Sequence, residues 1–261
     1  MKKNFTIAAI ITFLLMFFAV SQTTTAQSYG IVFGDLEVTE SNAGDIFGDG
    51  LACYLPDLNT LVLKDGFKYH LSHGKVIIST GNDFTIKLEG NAEIYACVEC
   101  EDNVLLDSKG ADTLSITSNI SGSALKCRSL FISRDICLNL LSRNSQENMY
   151  ALDCGGTLTI ENSALFAEVT TASMAVKTNQ LEMKYSYLLK PHGGSVNPAW
   201  GGICFSDGLP AKTVWIVPNN YNNLGESHVI NEANVQKIYK NGQILIIKDG
   251  KQYNIAGQQL N

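Results

Sequence analysis

Three carboxylates at five-residue spacing, Asp102, Asp107 and Asp112, share one loop-rich segment with Lys109. Clustered carboxylates can hold Ca²⁺, and a basic residue beside them can accept a proton; a polysaccharide lyase needs both. The spacing is not that of an EF-hand loop, and a solvated turn explains the same acids. Later in the chain, Tyr185, Tyr187 and Trp200 fall close together. The broad apolar face of an aromatic ring matches a pyranose ring, so these three, with the Asp102 and Asp107 carboxylates to read hydroxyls, form the candidate carbohydrate-binding set. Tyr185 and Tyr187 are two apart and are expected on one face of a strand. Their competing role is core or end-capping. His70-x-x-His73 suggests a metal pair, but a strand puts residues three apart on opposite faces and no third ligand is evident; an exposed loop is expected. Cys97-x-x-Cys100 has no second CxxC and no surrounding βαβ pattern, so neither a zinc site nor a redox motif is expected. Nucleophile-elbow, phosphate-loop and metalloprotease-helix motifs are absent from the sequence, and the expectation is a non-enzymatic protein.

The elements that must position these residues announce themselves as a loose repeat. An apolar pair spaced by two occurs in Phe84-x-Ile86, Leu114-x-Ile116, Leu130-x-Ile132, Leu158-x-Ile160 and Leu181-x-Met183. Between them recur Ala124-Leu125-Lys126-Cys127, Ala151-Leu152-Asp153-Cys154 and Ala175-Val176-Lys177-Thr178, with Gly202-Ile203-Cys204 as a weaker echo. Period-2 pairs are strands, and no stretch keeps helical spacing for three turns. Recurring short strands with irregular loops predict an all-β solenoid, a parallel β-helix, with a β-sandwich as the competitor. The intervals between the pairs are 30, 16, 28 and 23 residues, and 16 is short for a three-sided coil, which puts the register from Leu114 to Leu130 in question. About five coils stacked at roughly 4.8 Å would give a rod core about 25 Å long.

There are seven cysteines, an odd number, so in an exported protein at least one is unpaired or bonded to another molecule. Cys127 and Cys154 occupy the same place in the repeat, and Thr178 takes it in the next unit. Equivalent positions stack in a solenoid, so these three are expected to form an interior ladder of small side chains; a disulfide between coils would need specific Cβ geometry.

The chain divides at composition changes. Residues 1–26 read as a cleavable signal peptide, with Lys2 and Lys3, an apolar run from Ile7 to Val20, and Thr24 and Ala26 at the −3 and −1 positions before Gln27. The run is shorter than a bilayer span and no stop-transfer cluster follows, so no membrane span is expected after cleavage, and the product is expected outside the cell or on its surface. Residues 27–66 read as an N-terminal β cap, 67–218 as the β-helix, 219–234 as an Asn-rich linker, and 235–261 as a β-meander whose Asn241-Gly242 and Asp249-Gly250 predict type I′ turns. Three short strands are marginal alone and should dock on something. Loss of the signal would take the net charge from −6 to about −8, a poor balance for nucleic acid or anionic membranes.

The run Val38-Thr39-x-x-Asn42-Ala43-Gly44-Asp45-Ile46-x-Gly48-Asp49-Gly50, followed by Tyr54-x-x-x-x-Asn59-Thr60-Leu61-x-Leu63, resembles the opening of a family of secreted bacterial carbohydrate-binding-domain proteins. Phe84-Thr85-Ile86-Lys87-Leu88-Glu89-Gly90 and Gly156-Thr157-Leu158-Thr159-Ile160 are similar to its repeating strands. Over roughly residues 30–205 the resemblance implies a right-handed β-helix of the pectate-lyase-like superfamily, without implying lyase activity. The chain departs from the family around Pro56 and in its cysteines, which bears on ligand contacts more than on fold. The final 27 or so residues resemble the last strands of type IX sorting tails, which implies delivery to the surface. Together these readings lead to the expectation of a secreted or cell-surface protein whose partner is a polysaccharide or glycan, with no cofactor of its own. A Ca²⁺-dependent polysaccharide lyase and a structural adhesin are the alternatives.

Overall fold

The computed structural model describes residues 26–119, 122–143, 149–171, 174–219, 221, 235–240, 243–248, 251–253 and 259–260. Residues 1–25 of the segment read as a signal peptide, most of the Asn-rich linker and both expected type I′ turn dipeptides lie outside the described residues.

An N-terminal cap of β1 (Ser28–Phe33), β2 (Leu36–Thr39) and β3 (Ala52–Leu55) leads into five turns of solenoid. The turns are β4 (Thr60–Lys64) with β5 (Phe67–Ile78), β6 (Phe84–Glu89) with β7 (Ala92–Cys100), and β8 (Val104–Ser108), β9 (Thr113–Ser118) and β10 (Leu125–Cys127). They continue with β11 (Leu130–Ile132), β12 (Cys137–Ser142) and β13 (Leu152–Cys154), then β14 (Thr157–Glu161), β15 (Ala164–Val169) and β16 (Val176–Lys177), before β17 (Gln180–Lys184). Strands β4, β6, β8, β11, β14 and β17 stack in parallel as the first face. The second face runs through β9, β12 and β15, and the third through β10, β13 and β16. In the first two turns one long strand serves both of these faces, with a register shift in β5 between His70 and Lys75 marking the corner.

The period-2 pattern explains each strand. In β6, Phe84, Ile86 and Leu88 are buried while Thr85 and Lys87 face outward. Each inward residue stacks on its register partner, giving rows such as Phe84, Val104, Leu130, Leu158 and Leu181 along the first face. Removing one such side chain from water is worth about 2 kcal/mol. Outward rows carry charge instead. On the third face Glu99, Lys126, Asp153 and Lys177 are successive register partners, and Lys75 and Lys177 pair with Glu99 and Asp153 at 2.7 and 3.1 Å.

The structure corrects one alignment. Leu114-x-Ile116 belongs to the second face, where it stacks on Leu138 and Leu140; the residues that precede Leu130-x-Ile132 on the first face are Val104 and Leu106. Both faces present the same apolar-x-apolar signature, so the 16-residue interval was a change of face within successive turns.

Antiparallel strands close both ends. At the N-terminus β1 pairs with the second half of β5, and β3 with β4, over an aromatic cluster of Phe33, Phe47, Phe67 and Tyr69 with ring centroids 5.1–5.8 Å apart. Thr60–Lys64, in the segment read as cap, already pairs in parallel with β6. At the other end β18 (Ser186–Lys190), β19 (Ser195–Asn197), β20 (Gly202–Cys204) and β21 (Thr213–Pro218) run antiparallel over β15 and β16, so Gly202-Ile203-Cys204 caps the stack rather than extending it. Strand β17 remains the open edge of the first face, with Glu182 and Lys184 exposed on it, a charged edge that discourages further pairing. A separate antiparallel sheet of β22 (Val235–Lys240), β23 (Gln243–Lys248), β24 (Lys251–Tyr253) and β25 (Gln259–Leu260) follows, one strand more than the expected three.

Candidate functional site

A half-open cleft of about 500 Å³ lies at the N-terminal end, where the start of β1, the turn after β3 and the corner between β5 and β6 converge. Its geometry begins with Pro56, which opens the 3₁₀ turn Pro56–Leu58; Asn59 ends that turn in the left-handed region at φ 46°. Asparagine tolerates this conformation because its short side chain can bond locally. Here it does more. The Tyr54 hydroxyl donates to Asn59 Oδ1 at 2.7 Å, and Asn59 Nδ2 donates to Thr80 Oγ1 at 2.9 Å and to the Asp83 carbonyl at 2.8 Å. One side chain thus ties β3 to the far wall of the cleft.

That far wall, residues 79–83, is held from the next coil. Ser79 Oγ donates to Glu101 Oε2 at 2.7 Å, the Gly81 N–H donates to Asp102 Oδ2 at 3.0 Å, and Asn103 Nδ2 donates to Asp83 Oδ1 at 2.8 Å. The near wall is β1. Gly30 sits at φ 72°, and a Cβ there would collide with the Ser79 carbonyl, so only glycine lets β1 approach this closely. The Tyr29 ring packs on Tyr54 at 5.1 Å and 52°. Tyr54 is buried and Tyr29 half exposed to the cleft. Burial, and then the neighbouring Tyr29, raise the Tyr54 hydroxyl above the ordinary tyrosine range, so it stays a donor. Gln27, Thr80 and Asn82 complete the polar lining, and none of the lining residues is charged.

Of the five residues chosen from the sequence, only Asp102 reaches this site, as the buried support of Gly81 rather than a lining group. Asp107 faces outward on the first face as the register partner of Lys87 and accepts a bond from Ser133, while Asp112 accepts from Ser108. The three aspartates are therefore engaged separately, and among the described residues no group of three or more His, Cys, Asp or Glu is placed to hold a metal ion. Tyr185 is not in a strand: it occupies a bend between β17 and β18 at φ 55° and is 69% exposed, so the shared strand face expected for Tyr185 and Tyr187 does not form. Tyr187 lies half-buried in β18 opposite Val217, and Trp200 is exposed in the turn before β20. All three belong to the C-terminal end of the rod, away from the cleft. The His70 ring packs on Tyr95 at 4.0 Å; the His73 side chain lies outside the described residues.

Cys127 and Cys154 are register partners, both buried with free thiols, and Thr178 is buried in the following coil. The two thiols share one ionisation. Cys154 is drawn down to about 7, chiefly by the Cys127 thiol, while Cys127 is held well above the usual range by its bond to Cys154 and by burial. Cys97 is in the interior with its Sγ 3.0 Å from Ser118 Oγ, and burial pushes Cys100 up to about 11, so neither is a reactive thiolate.

Comparison with models of known families, with curated proteins and with solved structures yields no match. Tyr29 and Asn82 carry no distinctive spacing; the sequence signals near the cleft are the Tyr54-x-x-x-x-Asn59 spacing of the opening motif and the turn at Pro56.

Proposed function

We propose that this is an exported, non-enzymatic β-helix protein that binds neutral glycan through its N-terminal cleft and presents it on a rigid rod. The observation that carries the reading is the lining: amides and hydroxyls beside a partly exposed tyrosine ring, with no formal charge. Sugar hydroxyls are both donors and acceptors, which amides and hydroxyls match pairwise, and the Tyr29 ring offers an apolar face. A uronate or phosphate would find no cationic side chain among the lining residues. The rod supports the reading because the walls are tied to two successive coils and need little ordering on binding. The leader sequence supports export, and the resemblance of the last residues to sorting tails supports delivery to the surface.

A lyase would need carboxylates converging on one cation with a base nearby, whereas Asp102, Asp107 and Asp112 each bond a different partner. Affinity electrophoresis in gels containing neutral glucan, mannan, xylan or galactan, against polygalacturonate and alginate, tests the proposal. Retardation by a neutral polymer and none by the acidic ones is expected. Unsaturated-uronate absorbance that grows with Ca²⁺ and disappears in Asp107→Ala would replace this reading with the lyase.

A further inference from the structure

Gln27, the residue that signal cleavage after Ala26 would expose, lines the cleft. It is no loose end. The Gln27 carbonyl accepts the Glu40 N–H at 3.0 Å, and the next residue, Ser28, is the register partner of Thr39. A chain beginning at Gln27 would therefore have its terminus pinned at the mouth of the cleft, two residues from Tyr29. An ordinary α-amino group there, ionising near about 7.7–8.0, would bring a positive charge to a lining that otherwise has none.

Glutamine at a chain terminus has a route out of that charge. Its α-amino nitrogen can attack its own side-chain carbonyl carbon: a C–N bond closes a five-membered ring, the bond from Cδ to Nε2 breaks, and the amide nitrogen leaves as ammonia with the proton shed by the α-nitrogen. No oxidant or second reactant is needed. We propose that Gln27 is the mature N-terminus and that it is closed to a pyroglutamyl lactam, which forms an uncharged wall of the cleft.

The observed contacts suit the modification. The bond from Glu40 uses the main-chain carbonyl of Gln27, which cyclisation leaves intact, and no hydrogen bond of the exposed Gln27 side chain is formed among the described residues. The lactam keeps one N–H and one C=O, the donor and acceptor a sugar hydroxyl can use. The inference rests on the proposed export and on the cleft as the binding site, and its test is read independently of any sugar.

The full-length chain, with its own leader, is secreted from a bacterial host. Free amines of the intact exported protein are then blocked by reductive methylation, and the N-terminal peptide is weighed after digestion. The expected peptide begins at residue 27, carries no α-amine label and is lighter by one ammonia than its encoded sequence. A methylated Gln27, or a first residue other than 27, overturns the proposal. The Gln27→Ala variant, which cannot cyclise, should carry the α-amine label and focus at a higher isoelectric point by one charge; an unlabelled terminus in that variant also overturns it. Failure of the lactam-bearing protein to bind neutral glycans would sink the cleft reading while leaving the terminus assigned.

Discussion

Replacing Asn59 by alanine removes the side chain that ties the cleft together. The hydrogen bonds to Tyr54, Thr80 and Asp83 are lost, each worth about 0.5–1.5 kcal/mol net, together with a long one to the Asn82 carbonyl at 3.4 Å, and the Tyr54 hydroxyl is left buried without this acceptor. Alanine must also hold the left-handed φ of 46°, at a cost of about 1 kcal/mol that asparagine largely avoids. The side chain is partly exposed, and water replaces some of what is lost, so the sum is about 3 kcal/mol. For a domain of this size each kcal/mol moves the melting temperature by about 2–4 °C, which predicts a drop of about 6–12 °C. Asn59→Gly loses the same bonds without the backbone cost and should recover about a third of the drop. Thermal unfolding followed by far-ultraviolet circular dichroism, which reads the strand signal, measures both. If both variants melted within about 2 °C of the parent, Asn59 would not be the tie described and the cleft's rigidity would have another source.

The interior rows make a simpler prediction. Leu158→Ala empties a fully buried position between Leu130 and Leu181 and should cost about 3 kcal/mol in urea unfolding at unchanged slope. On the third face, Lys126→Glu would set three acids in a row with Glu99 and Asp153, lowering stability by about 1 kcal/mol at low salt, with most of the loss recovered at about 1 M NaCl. Burial pushes the Cys100 and Cys137 thiols up to about 11 from 9.0, so unfolded chains lose these protons first as the pH rises. Their stabilising contribution is complete below pH 9 and lost between pH 9 and about 11; the urea midpoint should fall across that window, and fall less in Cys100→Ala/Cys137→Ala.

The solenoid was legible because its physics is local: a period-2 apolar pair states which side of a strand is buried, and its recurrence states that the strands stack. What the pairs lack is a label for the face they occupy, so Leu114 and Ile116 were aligned with the wrong row while Val104 and Leu106 went unnoticed. The antiparallel ends were harder still, since Gly202-Ile203-Cys204 has the composition of a coil strand and its direction is set by what precedes it. The cleft was hidden for a different reason. Its walls come from residues 27–30, 54–59 and 79–82, three segments made adjacent by the first turn of the solenoid, and glutamine, asparagine, serine and tyrosine have no signature at such separations. Asp102 drew notice as an acid that could bind a ligand; its structural task is to accept the Gly81 N–H.

Calorimetric titration of the protein and of Tyr29→Ala/Asn82→Ala with the neutral oligosaccharide selected by gel retardation tests the central claim most directly. Tyr29 and Asn82 line the cleft; the Asn82 side chain is exposed, and the Tyr29 ring packs on Tyr54, so the double variant should keep the parent's far-ultraviolet spectrum and melt lower by the loss of that one ring contact. The account predicts saturable one-to-one binding by the parent and a loss of at least about tenfold in affinity, about 1.4 kcal/mol, in the variant. Equal affinity of parent and variant, or no heat with any neutral sugar, would contradict it.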